Sequence, residues 1–180
     1  MTVTVTVGEG RDRWLLAGQD LLREGGLPAV KLDALTARTE RSTGSFYHHF
    51  TNMAGYLGDL ARFYGADQVE GALDVLVGLP PRDRLRELVA MADDRDMRSL
   101  DVAMRDWAGT DQAAAAAVEA ADATLLRFLE RAFADLGHDR DGARLRSVAL
   151  LAAAVARVRT PWTMPDDAPE ALLRLLMAPS

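Results

Sequence analysis

With 180 residues, 49% of them apolar and 27% charged, the chain can bury a core as one domain or as a small domain joined to a larger one. It has no cysteine, which excludes a disulfide scaffold, a thiolate nucleophile and a cysteine-based zinc site. The net charge of −6 excludes a broadly basic surface, but residues 1–50 are neutral (six basic, six acidic groups) and the whole excess lies in residues 51–180, so the N-terminal end stays compatible with phosphate contact.

Thr2 to Val7 alternate Thr and Val like a strand, but no partner strand is readable anywhere, so residues 1–10 are expected to form a flexible tail. Arg11 to Glu24 reads as a first helix, with Trp14, Leu15, Gly18, Leu21 and Leu22 at helical spacing and Gly25-Gly26 as its stop. A second, short helix fits Lys31 to Arg38. Ser42 is suited to cap a third that runs to His49, with Phe46 and Phe50 four residues apart on one face. Thr51 or Asn52 can cap a long fourth helix reaching Val77, ended by Gly78 and Pro80-Pro81. Further helices are expected over Pro81–Met91, Met97–Ala108, Asp111–Leu136, Asp141–Arg159 and a last one from Asp166 or Asp167 through Leu176. That makes about nine helices and no strand, an all-α fold with short connections. No apolar run is long enough to span a membrane and the start lacks the pattern of a signal peptide, so a cytoplasmic protein without a membrane partner is expected.

Two short helices separated by about four residues after a first helix have the spacing of a helix-turn-helix. The stretch Ser42-Thr43-Gly44-Ser45-Phe46-Tyr47-His48-His49-Phe50-Thr51-Asn52-Met53 resembles the recognition helix and the start of the fourth helix in the TetR family of regulators, written S-x-G-S-hydrophobic-Y-x-H-F-x-N-K. Ser42, Gly44, Ser45, Phe46, Tyr47, His49, Phe50 and Asn52 match. Arg98, Val102 and Asp106-Trp107-Ala108, followed by Asp111 and an Ala-rich helix ending at Leu136-Gly137, resemble the family's ligand and dimer domain.

The resemblance implies a homodimeric transcriptional regulator, a repressor that binds palindromic double-stranded operator DNA and is released by a small apolar effector. It implies a helix-turn-helix domain over 11–52 and a ligand-binding and dimerisation domain over 53–180, joined through the fourth helix. It assigns Tyr47 and His48 to phosphate-facing positions and Thr43, Gly44 and Ser45 to the groove, where small side chains allow close approach. Hydroxyl and imidazole groups suit phosphate oxygens. Arg41 could snorkel and bond a phosphate. Arg11 and Arg13 either reach phosphate or solvate the start of the first helix.

Several positions depart from the family pattern. Glu40 stands where the family usually has Gly, Arg41 where it has Val or Ile, Lys31 where it has a capping Thr, Thr36 where it has Ala, and Met53 where it has Lys. The alternative reading is therefore the same scaffold acting as a ligand-binding or protein-interaction module that has lost DNA binding.

In the larger domain, Leu125, Leu129, Phe133 and Leu136 form one apolar stripe, and Leu145, Val148, Ala152 and Val155 a second. Two such helices per subunit would make a four-helix dimer interface; the other possibility is that both stripes are satisfied within one subunit. Tyr64, Met91, Met97, Leu100, Met104, Trp107, Phe128 and Trp162 are candidates to line an effector pocket, because aromatic and Met side chains suit an apolar ligand. No cofactor is expected. No metal site is expected either, because the adjacent His48 and His49 side chains diverge on a helix and His138 is the one other histidine. Catalysis is not expected, since no Ser-His-Asp arrangement and no Gly-rich phosphate loop can be read.

Overall fold

The computed structural model describes residues 10–160, 165 and 167–178, apart from the side chains of 66–68, 93 and 95. Among these residues every regular element is helical. The ten α-helices are α1 (Arg11–Gly25), α2 (Leu32–Thr39), α3 (Thr43–His49), α4 (Met53–Phe63), α5 (Gly71–Val77), α6 (Pro81–Asp93), α7 (Arg95–Ala108), α8 (Gln112–Asp135), α9 (Arg140–Arg159) and α10 (Ala168–Leu176). A 3-10 turn at Leu27–Ala29 links α1 to α2, and a π-helical segment at Tyr64–Glu70 links α4 to α5. None of the described helices is long and apolar enough to cross a membrane.

Short polar side chains fix several helix starts by accepting a backbone N–H three residues on. Ser42 accepts from Ser45 (3.3 Å), Asn52 from Gly55 (2.8 Å), Asp111 from Ala114 (2.9 Å) and Asp139 from Gly142 (2.7 Å). The helix expected without interruption from Asn52 to Val77 is instead three segments, α4, the π turns and α5. A π segment widens the i→i+4 ladder to i→i+5. Gly65 and Gly71, poor helix formers, flank most of it.

The chain divides into two compact units. The first comprises residues 10–68 with 99–118. Its core is aromatic: Trp14 and Leu15 of α1, Leu35 of α2, Phe46 of α3, Phe50 and α4's Tyr56 and Leu60 are all buried. Phe46 lies 5.4 Å edge-on to Trp14, 5.1 Å from Phe50 and 5.3 Å from Tyr56. The Tyr56 hydroxyl donates to the Trp14 carbonyl at 2.8 Å, and burial raises the phenol's pKa well above its ordinary value. Helices α1 and α4 come this close because residue 18 is glycine. A Cβ there would lie 2.0 Å from the Tyr56 hydroxyl oxygen and 3.0 Å from a Leu60 methyl.

The second unit comprises residues 69–98 with 119–178. Its core gathers Leu85 of α6, Leu129, Ala132 and Phe133 of α8, Ala143 and Leu150 of α9, and Leu173 and Met177 at the α10 end. Arg84 crosses from α6 to pair with Asp135 at 3.0 Å while its guanidinium also donates to the Val77 and Leu79 carbonyls. Together these bonds fasten the α5–α6 corner to the end of α8.

Candidate nucleic-acid interface

Helix α3 has seven residues and two faces. Phe46 and, just past its end, Phe50 point into the aromatic core. Thr43, Gly44, Tyr47 and His48 lie on the opposite side and are exposed. Ser45 is half-buried, and its N–H donates to the Ser42 hydroxyl. Tyr47 stands 51% exposed with its ring in an edge contact with Phe46 at 5.4 Å, so packing supports one side of the ring and about half of the residue is open to solvent. His49 is turned inward against the start of α1, where a Cβ on Gly10 would be 3.0 Å from its ring. His48 and His49 are thus divided between the two roles, one exposed and one packed.

The turn from α2 to α3 gives the physical reason for the glycine that the resembled family usually has where this chain has Glu40. Glu40 ends α2 in the left-handed region, at φ 56° and ψ 36°, the only non-glycine residue among those described with positive φ. The Arg41 N–H closes onto the Thr36 carbonyl at 3.3 Å, a Schellman-type bond that spans Glu40. An apolar residue after the left-handed position often covers the helix end in this motif. Arg41 occupies that place and is exposed. Thr39 is buried, its hydroxyl donating to the Leu35 carbonyl at 2.8 Å, so α2 finishes against the core before the turn leaves it.

Most guanidinium groups of this region are held by neighbouring carboxylates. Arg11 pairs with Asp59 at 2.5 Å and lies over the Phe50 ring at 5.4 Å. Arg23 pairs with Asp20 at 2.8 Å, Arg38 with Glu24 at 2.6 Å, and Arg62 with Asp59. The Arg38 pair lowers the pKa of Glu24 through the hydrogen bond it donates. Arg13, Lys31 and Arg41 are exposed and make no such pair among the described residues. The Arg11–Asp59 and Arg38–Glu24 pairs join residues far apart in sequence, whereas Arg23–Asp20 and Arg62–Asp59 are i,i+3 neighbours, and together the four pairs identify which cations remain available to an external anion.

Solved structures with the same architecture include transcriptional regulators. A transcriptional regulator from Rhodococcus sp. Rha1 superposes with a TM-score of 0.72 at 20% identity, covering 93% of both chains. A TetR-family regulator from Agrobacterium tumefaciens gives 0.72 at 15% identity over 93% of this chain and 95% of its own. The reduced form of NemR from E. coli gives 0.74 at 14% identity over 93% and 96%. The chain has the TetR fold. No family model matches the sequence, and no curated protein matches it.

The other residues singled out from the sequence fall in different places on this TetR fold. Tyr64, Leu100, Met104 and Trp107 are buried in the first unit. The Tyr64 hydroxyl donates to Asp101 at 2.7 Å, and Asp101 in turn holds Arg105 at 2.9 Å. Met91, Met97 and Phe128 are half-buried in the second unit. Trp162 lies outside the described residues, as does the expected tail except for Gly10.

The two apolar stripes of the second unit are unlike each other. Leu129 and Phe133 are interior, with Leu125 and Leu136 packed against that core. On α9, Leu145 is 71% exposed, Val148 47% exposed and Ala152 exposed, with Val155 half-buried. Val148, Ala152 and Val155, with Leu126, Leu151 and Ala156, line an open apolar groove of about 410 Å³ between α8 and α9.

Proposed function

We propose that the protein is a homodimeric transcriptional regulator of the TetR family, a repressor whose α3 helices enter successive major grooves of a palindromic operator. The carrying observation is the outer face of α3. Thr43 and Gly44 stand exposed at its amino end and Tyr47 and His48 one turn on, over a buried aromatic core that fixes the helix. A recognition helix needs small side chains where backbone approaches the bases and hydroxyl or imidazole groups where phosphates lie. Arg41 at the turn adds an exposed cation beside them.

Dimerisation is assigned to α8 and α9. Leu145, Val148 and Ala152 form an exposed apolar stripe continuing along the groove lined by Leu126, Leu151 and Val155. A second copy of this face would cover it in a two-fold, self-complementary contact. A small apolar effector, taken up beside Tyr64, Leu100, Met104 and Trp107, would release the operator; the aromatic and Met content of this set supports that reading.

The alternative, a scaffold without DNA binding, draws support from Glu40, whose carboxylate sits in the turn between the two helices. Selection of duplexes from a random-sequence pool by the purified protein, followed by gel shift across a salt series, separates the two. A reader returns a palindrome and binds it with a log–log salt slope of about −0.9 per phosphate contacted. Recovery of no sequence, with no salt-dependent binding, rejects DNA reading. Tyr47→Phe removes one phosphate donor per subunit and weakens binding roughly tenfold or more, with an unchanged unfolding midpoint.

A further inference from the structure

We propose that Lys31 is a phosphate-contacting cation at the amino end of α2, and that acylation of its amine lowers operator affinity, so that the residue is a modification site controlling the DNA-binding module. This rests on the DNA-binding reading above.

Three observations carry it. Lys31 is the single lysine of the 180 residues; every other basic side chain apart from the histidines is arginine. It is exposed, in extended backbone at φ −122° and ψ 152°, immediately before α2, and no side chain caps that helix end. Its amine makes no ion pair or hydrogen bond among the described residues, whereas Arg11, Arg23, Arg38 and Arg62 of the same unit are each engaged by a carboxylate. Asp33, two residues on, is also exposed and does not pair with it.

A cation already neutralised inside the protein releases few counterions when it meets a phosphate, while an unengaged one contributes fully to salt-dependent binding. Lys31 and Arg41 are the unengaged cations that flank the two helices of the helix-turn-helix, one before α2 and one before Ser42 caps α3. The first N–H groups of α2 have no side-chain cap, so this positive helix end, like the Lys31 amine, favours an anion.

Of these two cations only the amine can be acylated under mild conditions, because guanidinium keeps its proton. An acyl phosphate supplies the group. The neutral amine nitrogen attacks the acyl carbonyl carbon, an N–C bond forms, the C–O bond to phosphate breaks, inorganic phosphate leaves, and the extra proton on nitrogen passes to water. The product amide carries no charge, so each subunit loses one phosphate-binding cation.

The test treats the full-length protein with acetyl phosphate, locates acetylation by peptide mass spectrometry, and measures gel shift on the duplex selected by the untreated protein. Acetylated wild-type protein is expected to bind roughly tenfold or more weakly, with the salt slope reduced by about 1.8 for a dimer. K31R, which keeps the cation but resists the reagent, is expected to bind equally before and after treatment, and K31Q to behave like acetylated protein. Unchanged unfolding midpoints for both variants would place the effect on binding, not folding. If Lys31 is not acetylated, or if its acetylation leaves affinity and slope unchanged, the inference is overturned while DNA reading stands. An equal loss in treated K31R would assign the effect to another amine and also overturn it. Failure of the untreated protein to bind any duplex overturns the DNA reading and this inference together.

Discussion

Glu40 couples the stability of the module to its proposed function, and two substitutions separate the contributions. The residue holds φ 56° and ψ 36° at the end of α2. For an L-residue the left-handed region costs about 1–2 kcal/mol, and glycine removes that penalty at an entropic cost of about 0.5–1 kcal/mol in the unfolded chain. Glu40→Gly should therefore stabilise the protein by roughly 0.5–1 kcal/mol. Glu40→Gln keeps the backbone penalty and removes only charge, so its stability should stay within about 0.5 kcal/mol of the parent. On DNA the carboxylate opposes phosphate. At a separation of about 10 Å in water the repulsion is about 0.4 kcal/mol, and two subunits double it to roughly 0.8 kcal/mol, about fourfold in affinity at low salt. Urea denaturation at fixed protein concentration reads the first effect and gel shift at low and moderate salt the second. Both variants should gain affinity at low salt, the gain shrinking as salt rises, and glycine alone should gain stability. A destabilised Glu40→Gly protein would refute the backbone argument. An unchanged low-salt affinity in Glu40→Gln would refute the placement of the turn near phosphate.

Three further perturbations follow from particular contacts. Gly18→Ala puts a methyl 2.0 Å from the Tyr56 hydroxyl oxygen, forcing α1 and α4 apart; a loss of roughly 2–4 kcal/mol is expected in urea denaturation, and Tyr56→Phe in the same chain should recover part of it. Leu145→Glu with Val148→Glu places charge on the exposed α9 stripe and should convert a dimer to a folded monomer, read by light scattering with circular dichroism unchanged. His138 is buried, meets the Phe133 ring edge-on at 6.0 Å, and has its pKa lowered by that burial and by the positive charge of Arg146, against an opposing pull from Asp139. Its neutral form is favoured in the folded state while the unfolded chain protonates first, so stability is complete above the ordinary value of 6.5 and falls as pH drops through the lowered one. Replacing it with Gln should flatten the stability–pH curve over that range; an unaltered curve would exclude a contribution from this imidazole.

The local features of the fold were legible because they depend on residues a few positions apart. Ser42, and Asn52 of the pair Thr51 or Asn52, cap their helices by bonding the N–H three residues on, and the inward pair Phe46 and Phe50 follows from a four-residue spacing. Glu40 stands where the family that the motif resembles usually has glycine, and its left-handed backbone shows the physical demand that the sequence leaves unmet. What could not be read depends on residues far apart. The contact that makes Gly18 necessary is with Tyr56, and the Arg38–Glu24 pair joins two different helices. The π register at Tyr64–Glu70 is likewise invisible in a pattern of apolar spacing, because one extra residue per turn leaves composition unchanged.

The two apolar stripes of the larger domain make the same point about the candidate interface. By periodicity the series Leu125, Leu129, Phe133 and the series Leu145, Val148, Ala152, Val155 are equivalent, each a row of apolar side chains on one helix face. What distinguishes them is the set of partners. Leu85 of α6 and Leu173 of α10 join the interior cluster that holds Leu129 and Phe133. No equivalent cover exists over Leu145 and Val148 among the described residues, and they remain exposed. A buried leucine and a leucine awaiting a second subunit have the same sequence signature; the difference is a matter of which helices arrive from elsewhere in the chain. The α9 stripe is thus the half of the proposed four-helix contact that carries unsatisfied apolar surface. Substitution of Leu129 or Phe133 should unfold the unit, whereas substitution of Leu145 or Val148 should alter only its assembly.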